Sequence, residues 1–380
     1  MTEIWVPYGP VEVSFDIKQE NLSQILETQP QKLDETEIQK SADSVSEDTL
    51  ILLSGTPGTQ KFLDMLLTRN KLVRRILHPK NLGALARRKA QEFGIAAEPL
   101  NLESLVDVGQ AESAHGKLPT QIAGSKGHLL LTSVHYDPLF SLTSAASDLV
   151  SMIPESKEEA FKLSFDDLPC EVDKSNASSY SIQLLQSAGE FKVIELAEKS
   201  NSGIVSLAYG EPAAAHAKLI EYWAGNFKTQ LPSKSERVIF GCGGQENDRT
   251  LTEAFARSFF NIVKNAVLPD SESKICMLAE CSQGLGSEAL LRFVTGRYEP
   301  RARLDEVTYF DGLEVLISFF RVQNDLQLSI LTTLPQYYAS KFDFKTIRGG
   351  REAPSALVQQ GSRAKILVVP DGSTTYFVSE

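Results

Sequence analysis

The chain has 380 residues, 42% hydrophobic and 23% charged, an ordinary composition for a soluble globular protein of two domains at roughly 100–200 residues each. Its formal net charge of -11 speaks against a nucleic-acid partner, because a phosphate backbone calls for a strongly basic face. No apolar stretch reaches the roughly 18–20 residues that span a bilayer. The N-terminus MTEIWVPYGPVEVSF lacks a basic segment followed by an apolar run, and Cys170, Cys242, Cys276 and Cys281 form no CxxC pair, so we expect neither a membrane partner, a signal peptide, a zinc site nor a disulfide framework, and we expect a cytoplasmic location.

Residues 3–17 alternate polar and apolar and read as an opening strand or hairpin, with turn chemistry at Tyr8, Gly9 and Pro10. The polar stretch 28–48 reads as a surface helix or a connector. TLILLSG (49–55) has the look of a buried parallel strand running into a loop. A helix over 60–70, a strand over 72–77 and a helix over 81–94 closed by Gly94 follow. GHLLLTSV (127–134) is a second buried strand, and the acidic stretch 151–180 reads as a loop. Helix and strand patterns return over 181–210, with a helix near 212–225.

In the second half, RVIFGCGG (237–244) is a strand entering glycines, 250–267 an amphipathic helix, KICMLAEC (274–281) a strand and SEALLRFV (287–294) a helix. LEVLISFFRV, LQLSILTTL and AKILVVPDG supply further segments. Alternating strands and helices imply crossover connections and parallel sheets. The expected fold is therefore two α/β domains, 1–230 and 231–380, with mainly parallel sheets, an inter-domain cleft and a last strand free to return to the first domain.

In such sheets ligands sit beyond the carboxyl ends of strands. Three loops stand there: 54–60, 241–248 and 280–287. In the third, Gly284, Gly286 and Ala289 fit the spacing G-x-G-x-x-A, with Asp305 as the distant acidic residue of a dinucleotide site. Gly284 falls three residues past the strand, so a strand-to-helix turn capped by Ser287 is the simpler reading. Lys61 lacks the spacing of a phosphate loop. Thr56, Gly243, Gly244, Asp248, Gly286 and Ser287 are candidate anion ligands at helix starts. None of the five histidines forms a metal pair. His78 and His135, each at the end of a strand, are the acid/base candidates because imidazole titrates near neutral pH. Cys242 reads as a nucleophile or as a small buried residue.

VPYGPVEVSFDI, CGGQENDRTLTEAF, MLAECSQGLGSEALLRFV and ILVVPDGSTT, taken together, resemble segments of the nickel-pincer lactate racemase family. The A-E-C-x-x-G-x-G-S-E stretch is the most specific match, and the likeness spans nearly the whole chain. The resemblance implies a two-domain α/β fold and interconversion of 2-hydroxy acid enantiomers by hydride removal and return. It implies a lysine-attached nickel pincer, two acid/base histidines and a nickel-binding histidine.

Residue by residue, the carry-over mostly fails. The family's acidic and Arg-bearing loop is here Ser54-Gly55-Thr56-Pro57-Gly58. Its first histidine aligns with His78, its second with Leu139, and its cofactor lysine with Asp148 or Leu149, Lys157 being the nearest lysine downstream. No histidine lies between His135 and His216, and the family's helix Gln/Lys pair falls at Thr252, Glu253 and Ala256. Gly243, Gly244, Asp248, Glu280, Gly284, Gly286, Ser287 and Glu288 remain. The expectation is thus a diverged relative that binds a small carboxylate or other anion in the cleft, with catalysis changed or lost and no cofactor. The alternatives are a 2-hydroxy-acid racemase with the nickel-pincer cofactor, and a non-catalytic scaffold or subunit with a protein partner.

Overall fold

The computed structural model describes residues 1–109, 114–124, 126–171, 174–199, 203–231, 233–244, 247–268, 270–300, 308–323, 326–359 and 362–378. The chain forms two compact units. A middle unit takes Pro30–His135 and Leu139–Trp223; a terminal unit takes Met1–Gln29, Tyr136–Pro138 and Ala224–Glu380. Both are α/β with mainly parallel sheets. Among the described residues no helix is long and apolar enough to cross a membrane.

The middle unit holds a six-stranded sheet in the order Gly203–Gly210, Phe191–Lys199, His128–Ser133, Thr49–Leu52, Arg75–His78, Ala96–Pro99. All its pairings are parallel except the first. Thr49–Leu52 and His128–Ser133 are buried at every position. A parallel strand covered on both faces has no solvent side to mark with polar residues, which is why both read as apolar runs. Phe62, Leu63 and Leu66 of the helix Pro57–Arg69 pack on Leu50, Leu129 and Ile194 in the core. Pro57 opens that helix, where its missing N–H costs nothing. The helix Gly83–Phe93 ends at Gly94 as expected.

The stretch 151–180 is not a loop. It carries the helix Pro154–Ser164 and the start of the helix Asn176–Ala188, beside the helix Ala145–Ser151. Its serines, which suggested a loop, are caps and spacers. Ser175 accepts the Ser178 N–H, and Ser144 with Ser147 forms a reciprocal cap. Ser156, Ser164 and Ser181 are buried, small enough to let these helices lie close.

The terminal unit holds a six-stranded sheet whose strands are all parallel, in the order Phe344–Ile347, Gln327–Leu331, Lys274–Leu278, Arg237–Gly241, Ile366–Val369, Leu22–Ile25. The N-terminal segment thus supplies an edge strand beside the last long strand of the chain. The expected opening hairpin is Thr2–Tyr8 with Val11–Ile17. Its alternation puts Ile4, Val6, Phe15 and Ile17 in a core with Ile239, Cys276 and Val368. The helix expected over 250–267 is broken: Leu251–Ala254 runs into a π-helical turn at Phe255–Phe259 and then into Phe260–Ala266. Thr250 and Glu253 cap it reciprocally.

Candidate functional site

In the middle unit, Thr56 is the N-cap of the helix Pro57–Arg69, its Oγ accepting the Thr59 N–H at 3.3 Å. The start of this helix already holds a carboxylate. Glu198, from the strand Phe191–Lys199, accepts the Gly58 N–H at 2.7 Å and the hydroxyls of Thr56 and Thr59. The charge meets the positive end of the helix dipole and its free N–H groups.

On the same strand, Glu195 is fully buried and joins two further elements. Its Oε1 accepts the Ala145 N–H at 2.8 Å, and its Oε2 lies 3.2 Å from Nδ1 of His216, itself 4% exposed. Nearby on the parallel neighbour, Thr132 donates to the carboxylate of Asp148. Neither glutamate was singled out from sequence. The signal was there: two carboxylates in FKVIELAEK, one buried and one half-buried, each call for a partner.

His78 ends the strand Arg75–His78, whereas His135 follows the strand His128–Ser133 by two residues; Thr49–Leu52 lies between those strands. His78 is 2% exposed; Nδ1 sits 3.0 Å from the Pro79 carbonyl, and Nε2 is closed off without a partner. His135 is half-buried, with Nδ1 between the Ser133 carbonyl at 3.2 Å and the Thr143 hydroxyl at 3.3 Å.

The other candidates collect in the terminal unit, at the carboxyl edge of its sheet. Asp248 is fully buried. Its Oδ2 accepts the Gly9 N–H at 3.0 Å and the Glu280 N–H at 3.1 Å, while Oδ1 is closed off without a donor. Burial pushes its carboxyl above the usual range; the two N–H groups pull it back, and Glu280 and Glu253 push it further up. Asp248 therefore ties the turn of the N-terminal hairpin to the end of the strand Lys274–Leu278. Gly244 lies against Pro7 and Gly9 of that hairpin.

Gly243 has φ +83, and a side chain there would run into Asp371 and Ser373. Gly286 has φ +88, and a Cβ would meet the Thr250 side chain at 2.5 Å. Both positions require glycine on two counts, backbone conformation and space. The A-E-C-S-Q-G-L-G-S-E segment lies along 248–252: the N–H groups of Cys281 and Gln283 donate to the carbonyls of Asp248 and Arg249, and those of Leu251 and Thr252 donate to Gly284 and Leu285. The Thr252 hydroxyl also donates to the Leu285 carbonyl at 2.7 Å and shares a hydrogen bond with Ser287 Oγ at 2.9 Å. The strand-to-helix turn is there with Ser287 in the N-cap backbone conformation of the helix Glu288–Val294, but the side-chain cap bond expected from sequence is not made. Its hydroxyl is engaged by Thr252 instead. Asp305 lies outside the described residues.

Cys242 is wholly buried, and burial, with Asp248 next, raises its thiol well above the usual range. A thiol so placed stays protonated at neutral pH, which is the small buried residue rather than the nucleophile. Burial pushes the Cys276 thiol up to about 12.

The residues at the aligned cofactor positions do not fit a covalent nickel pincer. Asp148 is hydrogen-bonded to Thr132, Leu149 is 1% exposed in the core, and Leu139 is fully buried where the second histidine is expected. Among the described residues, no three or more His, Cys, Asp or Glu side chains are grouped to hold a metal ion.

This is a two-unit α/β architecture with mainly parallel sheets and polar side chains at their carboxyl edges. No family model matches the sequence, and no curated protein matches it. The fold is similar to that of the lactate racemase apoprotein from Thermoanaerobacterium thermosaccharolyticum, at 15% identity over 99% of this chain and 100% of that one, with a TM-score of 0.74. It is also similar to a structural-genomics protein from Thermotoga maritima, at 9% identity over 93% of this chain and 100% of that one, with a TM-score of 0.65. At such identities the likeness is one of fold.

Proposed function

We propose that this chain uses a racemase-like fold to bind a small carboxylate or other small anion, with hydride-transfer chemistry lost or replaced. The observation that carries the loss is the pair Asp148 and Leu149. The first is engaged by Thr132 and the second is core, so neither offers the amine that a covalent cofactor requires. Racemisation also needs a proton acceptor on each face of the carbon, and the second histidine position is the buried Leu139. The ligand class is supported by the chemistry of 56–59, whose hydroxyls and Gly58 N–H already accommodate a carboxylate, that of Glu198.

The test has two arms. Protein co-produced with the cofactor-making enzymes is analysed by intact mass, bound nickel and lactate racemisation. An adduct with racemisation would overturn the loss of chemistry; unmodified, nickel-free, inactive protein is expected. In the second arm, thermal unfolding is followed with acetate, lactate, malonate, sulfate and phosphate. Saturable stabilisation by at least one is expected, and none by any of them would overturn anion binding.

A further inference from the structure

Buried oxygens in folded proteins almost always find a donor, because an unpaired acceptor shut away from water costs as much as a lost hydrogen bond. In the terminal unit the turn 371–375 breaks this rule twice. Asp371, 3% exposed, has Oδ1 engaged by the Ser373 N–H at 3.1 Å and the Ser373 hydroxyl at 2.6 Å, but its Oδ2 is closed off and meets no donor. Thr374, 4% exposed and three residues on, has an Oγ1 with no partner either, although its carbonyl accepts the Thr28 hydroxyl at 3.1 Å. A hydroxyl can donate to a carboxylate oxygen, yet these two do not bond to each other.

The surroundings are oxygen-rich and acidic. Gly372 donates its N–H to the Gly241 carbonyl at 2.8 Å, so the turn lies on the end of the strand Arg237–Gly241. The left-handed Gly243 brings bare backbone against Asp371, and Asp371 pairs with Cys242 across an isolated bridge. A second buried carboxylate, Asp248, bears on the same Cys242. Asn247, whose own oxygen accepts from Arg257, donates to the Gly243 carbonyl and to Ser373 Oγ, and Asp371 Oδ2 has no donor. No Lys or Arg ion pair to Asp371 occurs among the described residues.

We propose that the turn 371–375 is a site for a hard cation of the alkali or alkaline-earth class, held by Asp371 Oδ2 and Thr374 Oγ1. Hard cations of this class take oxygen donors, and a carboxylate oxygen with a neutral hydroxyl oxygen offers two of them. A carboxylate oxygen and a hydroxyl oxygen are hard donors, which favour these ions over softer transition metals. A cation would neutralise the charge of Asp371 without a proton, and it would bind the folded state only. The site is independent of the anion-binding reading, which concerns the middle unit.

The test uses the full chain exchanged into choline chloride. K⁺, Na⁺, Mg²⁺ and Ca²⁺ are titrated singly at constant ionic strength while thermal unfolding is followed. At least one cation should raise the midpoint saturably, because a ligand of the native state stabilises it by mass action. Asp371→Asn should abolish that saturable rise. Thr374→Val removes a hydroxyl that bonds to nothing, so it should leave the cation-free midpoint unchanged while weakening half-saturation by about tenfold. If all four cations match choline, or if both variants respond as the wild type does, the proposal is wrong and a proton or water serves Asp371. Should Asp371→Asn fail to fold, the Thr374→Val titration decides alone.

Discussion

Glu198 closes the start of the helix Pro57–Arg69: its Oε2 accepts the Gly58 N–H at 2.7 Å across 140 residues of sequence. A loop that reads as an anion site therefore has an anion of its own. The contact also joins an outer part of the middle sheet to a helix packed on its centre.

Replacing Glu198 with Ala should cost about 1–2 kcal/mol, the range for losing a capping acceptor. Urea unfolding of wild type and variant measures it. Sulfate or acetate should then stabilise the variant more than the wild type, since the helix start is left open. Equal responses would mean that the loop takes no free anion.

Asp248 should leave a mark on the pH profile. A carboxyl raised above its unfolded value, about 3.9, favours the fold while protonated. That contribution is complete below the unfolded value and disappears as pH rises through the folded one. The wild type should therefore lose stability relative to Asp248→Asn as pH rises from about 4. Urea midpoints across pH 3.5–7 (a range set by about one unit or more around carboxylate titration) supply the comparison, and parallel profiles would contradict it.

Truncating His216 to Ala leaves Glu195 buried with one partner fewer. A loss of about 3–5 kcal/mol is expected, because an uncompensated buried charge is more costly than the pair itself. The double variant Glu195→Gln with His216→Gln should recover much of that loss. A double-mutant cycle by chemical denaturation would show strong coupling between the two, and simple additivity would be evidence against it.

Gly286→Ala should destabilise the terminal unit by more than about 2 kcal/mol, as strain at positive φ adds to overlap with Thr250. Thr252→Val, which removes the hydroxyl bonds to Leu285 and Ser287, should cost about 1 kcal/mol. Thermal unfolding distinguishes them; a harmless Gly286→Ala would remove the structural reason for this glycine.

All four cysteines are buried and free. A thiol reagent such as DTNB should label none of them rapidly in the native protein and all of them after unfolding in guanidinium. Rapid native labelling of Cys242 would restore it as a nucleophile.

The strands Thr49–Leu52, His128–Ser133, Arg237–Gly241 and Lys274–Leu278 were legible because a parallel strand covered on both faces must be apolar throughout, and that pattern is local. The same holds for the opening hairpin, whose alternation records a single buried face. The helix at 154–164 and the first turn of the one at 176–188 were not legible, since buried serine and exposed serine are spelled alike. The candidate site divided along the same line. Glycines forced by turn and space at 243 and 286 could be read, whereas the partners of Glu195, Glu198, Asp248 and Asp371 could not. By itself the amino-acid order determined where chain could be buried and where it must turn. Only the tertiary structure decided that Leu22–Ile25 lies beside Ile366–Val369, and that Asp248 reaches a hairpin 239 residues away. Those choices belong to charge, hydrogen bonding and packing between distant segments, which no local pattern records.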